Sequence, residues 1–277
     1  MASTEQSATT LAKYALRLGR SAFAVGAVKI LIVALAASQP EAPAQMPADL
    51  IRNVAQLGSK LVAERDHYTY TQTFKFYEMG KGVQAGRYEE IRDVTFTGTG
   101  ERIERHRRPP IVRLHRMRLT DEDFRDLRDV NPFVLTSESL RFYRVRYKGM
   151  EEVDGEPCHV LQMRPRQILY EQRFFDGLLW VSAAHGNVVL AAGRPVPQIH
   201  RIENSNLFPG FETRYAPVDG EHWFPVRTFG DDILPFPSGN QRVRIQIEYS
   251  DYKRFTATST VTFDGTESRK GDAEAPN

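Results

Sequence analysis

From Tyr143 onward the chain alternates strand-like segments with turns of two or three residues, and that pattern admits few folds. "FYRVRYKG" sets Tyr143, Val145 and Tyr147 against Arg144, Arg146 and Lys148. Asp154-Gly155 is a hairpin dipeptide, and "CHVLQMR" answers across it. "DGLLWVSAAHGNVVL", Asp176 to Leu190, then gives a strand, a turn at "HGN" and a second strand. Asp219-Gly220 turns the chain into "HWFPVRTF", and "QRVRIQIEYSDYKRF" sets Val243, Ile245, Ile247 and Tyr249 against Arg242, Arg244, Gln246 and Glu248. Turns this short cannot hold the crossover that parallel strands need. The sequence therefore predicts a large antiparallel meander rather than a parallel sheet.

Upstream, "PADLIRNVAQLGSKLVAE" repeats apolar residues at helical spacing, predicting an amphipathic helix over residues 47–64. "HYTYTQTFKFYEM" switches to period two, with Tyr68, Tyr70, Phe74 and Phe76 on one side. A long threonine-rich strand is expected from Tyr88 to Ile103. A short helix is expected within "LTDEDFRDLRDVNP", with Thr120 as N-cap, an acidic first turn and Pro132 as stop. "TATSTVTF" extends the sheet or adds an edge. No repeat of 20–50 residues is present. The fold class is α+β, mostly β, with a curved antiparallel sheet.

Lys13, Arg17, Arg20 and Lys29 precede the apolar run Ile30–Ala37, and small residues surround Ala42-Pro43-Ala44. A basic start, a short apolar core and a small-residue exit describe a secretory signal peptide over residues 1–44. Retention as an uncleaved anchor is the alternative, which would place Lys29 in the bilayer. Ser38 stands where a lipobox needs cysteine, so thioether lipidation is excluded. The expected location is the periplasm of a bacterial envelope. The domain is expected over residues 45–263, and residues 264–277, devoid of large apolar side chains, read as a disordered tail.

The chemistry of common enzymes is missing. There is no HExxH, GxSxG, phosphate-binding loop, dinucleotide fingerprint or paired-cysteine spacing, so no catalytic residue, metal ligand or cofactor is assigned. The one cysteine, Cys158, cannot form an internal disulfide, and the neighbouring His159 points to the other face of its strand. Asp231-Asp232 and Glu89-Glu90 read as solvated charges. With 37 Lys+Arg against 35 Asp+Glu the chain is nearly balanced. "ERIERHRRPPIVRLHRMR" is locally basic but has no interleaved aromatics, so nucleic acid is not the expected partner. Anionic headgroups or an acidic inner- or outer-membrane protein would suit Arg107, Arg108, Arg113 and Arg116; otherwise the stretch is a solvated strand end.

The aromatic residues Phe74, Phe76, Tyr143, Trp180, Trp223 and Phe224 singly read as core. As a set they raise another reading, because one open sheet with few helices cannot cover both of its faces. A bent sheet leaves an apolar hollow that an acyl chain or a lid helix would shield. Phe74, Phe76, Tyr143, Val145, Leu161, Met163, Trp180, Val243, Ile245 and Ile247 are the candidate lining.

"YKGMEEVDGEPCHVLQMRP", "FFDGLLWVSAAHGNVV", "HWFPVRTF" and "VRIQIEYSDYKRF" together resemble the LolA-like superfamily of bacterial periplasmic proteins, over roughly Pro47 to Phe263. Members commonly carry an acid after "WV", where this chain has Ser182. The resemblance implies an incomplete β-barrel, with helices packed on its concave side, that binds acyl chains without catalysis. The expected function is that of an exported, monomeric carrier for acyl chains of lipids or lipoproteins. The alternative is an envelope sensor or scaffold that meets a membrane protein through the basic patch. An enzyme would need a titratable carboxylate buried in the hollow.

Overall fold

The computed structural model describes residues 46–81, 83–97, 99–169, 172–198 and 207–255, all within the compact unit Pro43–Asn277. The expected signal segment, "TATSTVTF" and the expected tail lie outside the described residues.

Helix α1 spans Leu50–Arg65 and buries Leu50 and Val54 of the apolar stripe together with Ala55 and Gly58, while Ile51, Leu57, Leu61 and Val62 are half-buried. The strands are β1 (Tyr68–Gly80), β2 (Val83–Phe96), β3 (Arg102–His106), β4 (Ile111–Arg113), β5 (Tyr143–Val153), β6 (Glu156–Pro165), β7 (Phe174–Ser182), β8 (Val188–Val196), β9 (Phe211–Pro217), β10 (Trp223–Phe236) and β11 (Gly239–Arg254). They form one 11-stranded sheet in the order β3-β2-β1-β11-β10-β9-β8-β7-β6-β5, with β4 also on β2. Every pairing is antiparallel. From β5 to β11 each strand pairs with its successor, the expected meander. β11 then pairs with β1, so the amino-terminal strands extend the same sheet. β3 and β5 end the order, and the sheet is open. The β5 edge is protected: the register shifts between Tyr147 and Gly149, and Arg144, Arg146 and Lys148 are exposed.

The turns follow their chemistry. Asp154 and Gly155 both take positive φ, 53° and 86°, as the tightest hairpin turn requires. The strand expected from Tyr88 to Ile103 is instead two. β2 stops at Phe96, and Thr97 N–H donates to the Glu101 carbonyl (2.9 Å), with Gly100 at φ 80° reversing the chain. Threonine-rich composition favours strand on both sides of this turn and does not reveal it.

Between β4 and β5 runs a strap, residues 114–142. It contains α2 (Asp121–Arg125), one wider helical turn (Asp126–Val130) and a 3-10 turn (Ser139–Phe142). Thr120 caps α2 reciprocally with Asp123. The main core joins one face of the sheet to α1 and this strap: Phe74, Phe76, Leu161, Met163, Ile245 and Ile247 from the sheet, Val54 from α1, and Leu127, Phe133 and Leu135 from the strap.

Candidate functional site

Nine of the ten candidate lining residues share this face. Phe74, Phe76, Tyr143, Leu161, Met163, Val243, Ile245 and Ile247 are buried in the main core, and Val145 packs against it. Trp180 does not join them. Leu179 and Val181 take the core-facing positions of β7, so alternation turns Trp180 outward. There it packs with Cys158 and Leu190 in a small second cluster and donates from its indole to Glu151 (2.8 Å). The apolar run Leu178–Val181 therefore serves a core on one face and a local cover on the other.

The strap is tied down largely by polar contacts. Glu78, 1% exposed, accepts the backbone N–H groups of His115, Arg116 and Met117 (2.8, 2.8 and 2.6 Å). Arg173 forks onto Asp126 (3.1 and 2.6 Å). Thr213 donates to the Asn131 carbonyl and Tyr215 to that of Phe133, both at 2.7 Å. Burial drives the Tyr215 phenol well above its ordinary range, so it stays a neutral donor.

Beneath the strap a polar row crosses the apolar face. His106, Arg92, Gln72 and Tyr249 are successive cross-strand partners, and Thr228 and Thr213 continue the row with a 2.7 Å contact. Arg92 bonds Glu90 and Glu104, and Arg102 bonds Glu104 and the Tyr70 hydroxyl (2.6 and 2.7 Å). Glu90, 1% exposed, also accepts from Tyr88 (2.7 Å). This corrects the reading of Glu89-Glu90 as solvated: Glu90 falls in phase with Tyr88 and Val94, and its burial is sustained by Arg92. The buried Asn131 amide has no hydrogen-bond partner among the described residues.

A cleft lies between Val54, Leu57, Gly58 and Leu61 of α1, Phe133–Leu135 of the strap, Gly186–Val188, Tyr215 and Trp223. Its free volume is about 30 Å³, room for about one water and about tenfold below an ordinary ligand pocket. The hollow is thus filled by α1 and the strap, and the mouth is largely apolar, with Asn187 and Tyr215 as its polar members.

The four candidate arginines divide into two pairs. Arg107 bonds Asp93 (2.7 Å) and Thr71 (2.6 Å), and Arg108 bonds Glu89 (2.7 Å). Arg113 and Arg116 are exposed, and Arg113 stands directly opposite Arg87 in the β2–β4 register.

The described residues carry no activated nucleophile. Burial pushes the Cys158 thiol up to about 11, which removes its thiolate at neutral pH. Burial also raises Asp126 to about 6, against the pull of Arg173. This is the buried titratable carboxylate an enzyme would need, yet both its oxygens are spent on Arg173 and it does not line the cleft. Tyr68, Asp219 and His222 form a cluster (Tyr68 Oη to His222 Nδ1 3.1 Å, His222 Nδ1 to Asp219 Oδ2 2.9 Å). It sits near Glu64 at the end of α1, with His222 Nε2 3.9 Å from that carboxylate. Among the described residues no group of three or more metal-binding side chains converges.

No protein-family model matches the chain, and no curated protein sequence matches it. Solved structures do. A DUF1329 family protein from Desulfovibrio piger aligns with a TM-score of 0.41 and 13% identity, covering 76% of this chain and 96% of that one. A LolA superfamily protein from Nitrosomonas europaea aligns with a TM-score of 0.31 and 16% identity, covering 72% and 94%. The chain is similar in fold to LolA-superfamily proteins. The LolA-like likeness concerns strand arrangement alone; at these identities and TM-scores it carries no ligand, partner or activity across.

Proposed function

We propose that this chain is an exported, non-catalytic binding protein that accepts an acyl chain into its hollow when α1 and the strap part. The supporting observation is the apolar cleft between these two covers. Neither belongs to the sheet, and α1 touches the strap's carboxyl-terminal end through few polar contacts, among them Ser137 N–H donating to Ser59 Oγ (2.9 Å). Each methylene transferred from water contributes about 0.8 kcal/mol, so about ten of them would contribute about 8 kcal/mol toward parting the two covers. The polar row would then receive the ligand's ester or amide end.

A reversible lock tests this. Ser59 and Ser137 are close enough for a disulfide in S59C/S137C, with Cys158→Ser removing the native thiol. Reduced protein should bind a fluorescent fatty acid, oxidised protein should not, and reductant should restore binding. Equal binding in both states would place the ligand elsewhere, and no binding in either would overturn the proposal.

A further inference from the structure

We propose that the end of the sheet carrying the β1–β2 and β10–β11 hairpins docks on an anionic lipid surface, with Arg87 and Arg113 as its centre. The proposal goes beyond cargo binding and needs nothing in the hollow.

Arg113 faces Arg87 across β4 and β2, and like charges directly opposite on neighbouring strands repel. No carboxylate among the described residues pairs with either, although nearby Arg105, Arg107 and Arg108 each have one. The row continues through Tyr77 and Arg244 to Asp231. Asp231 is already shared by Arg242 and Arg244 (2.7 and 2.8 Å), so no acid remains for the arginine pair. Exposed Lys81 and Arg116 flank it.

Apolar side chains stand beside these charges. Val83 in the β1–β2 hairpin is 66% exposed, and Ile233, opposite Arg242 on the face that carries Arg244 and Asp231, 56%. Arginines that hold phosphates, beside aliphatic tips that enter the headgroup layer, match a bilayer surface. An acidic protein would satisfy the arginines but leave the two aliphatic tips without a reason. The backbone under the pair is fixed: a Cβ on Gly86 would lie 2.8 Å from the Arg113 carbonyl, and Glu78 holds the following residues from within.

Full-length protein and vesicles of phosphatidylcholine, with and without phosphatidylglycerol, test this by co-sedimentation. Wild type should bind the anionic vesicles and release them as salt rises. Arg113→Glu places a carboxylate opposite Arg87, so it should fold at least as well while weakening anionic-vesicle binding by roughly tenfold or more, at about fivefold per charge near the surface. Ile233→Ser should weaken binding several-fold without altering the salt dependence. Arg146→Glu, the same charge change on the opposite edge, should leave binding within about twofold. Equal binding by wild type and Arg113→Glu, equal losses in Arg113→Glu and Arg146→Glu, or binding to polyglutamate but not to vesicles would each overturn the proposal.

Discussion

Gly58 of α1 lies against the carbonyl of Leu135 so closely that a Cβ at residue 58 would sit 2.0 Å from that oxygen. The strap and the helix meet backbone to backbone, and only glycine permits it. Gly58→Ala normally favours a helix by about 1 kcal/mol; here overpacking of about 1–3 kcal/mol opposes it. The variant should be less stable in urea titration and should widen the cleft, seen as stronger binding of a hydrophobic dye. A stabilised Gly58→Ala would mean that α1 is not seated on the strap.

Glu78 fixes the start of the strap. Glu78→Ala leaves three backbone donors at residues 115–117 without their partner, a loss on the order of 1–3 kcal/mol. Trypsin should then cut at Arg113, Arg116 or Arg118 well before it cuts elsewhere in the domain. Unchanged cleavage order would remove Glu78 as the anchor.

Asp126 gives the strap a pH dependence. Its folded value, raised by burial to about 6, lies above the unfolded carboxyl near 3.8. The folded protein therefore holds a proton that the unfolded chain has lost. This stabilisation is complete below the unfolded value and disappears as pH rises through 6. Relative to Asp126→Asn, wild type should lose about 1–2 kcal/mol between pH 5 and pH 7. Denaturant titrations of both proteins at the two pH values measure it; parallel shifts would show that Asp126 does not titrate there.

The two faces of β7 should behave differently. Phe133→Ala removes a ring stacked on Phe175 (centroids 4.4 Å apart) at the cleft, at a cost of about 3–5 kcal/mol, and should change fatty-acid probe affinity. Trp180→Ala should destabilise the outer cluster and leave that affinity unaltered. Probe binding lost in Trp180→Ala at a temperature where the variant is folded would move the site to the outer face.

Alternation made the strands legible, because a side chain's face follows from its parity once one buried neighbour is known. It also held a signal for Glu90 and Arg92, which fall in phase with Tyr88, Val94 and Phe96. Charge alone suggested solvent, and only the partner on a neighbouring strand, Glu104, shows how the arginine is accommodated. Trp180 erred the other way: "LLWV" is apolar at every position, so parity could not choose its side, and the packing of Leu179 and Val181 into the core decided it. The arginine stretch read as one patch, yet Asp93 and Glu89 neutralise Arg107 and Arg108 from β2, 14 and 19 residues earlier in the chain.

By itself the sequence determined the antiparallel meander, the two helical segments and the Thr120 cap, since these depend on residue period and on turns a few residues long. The tertiary structure decided what occupies the hollow and where charge stays unmatched. Both depend on contacts between residues far apart in the chain: Gly58 with Leu135, Glu78 with the strap backbone, Arg87 with Arg113. Such contacts follow from how the covers settle on the sheet, and no local pattern encodes them.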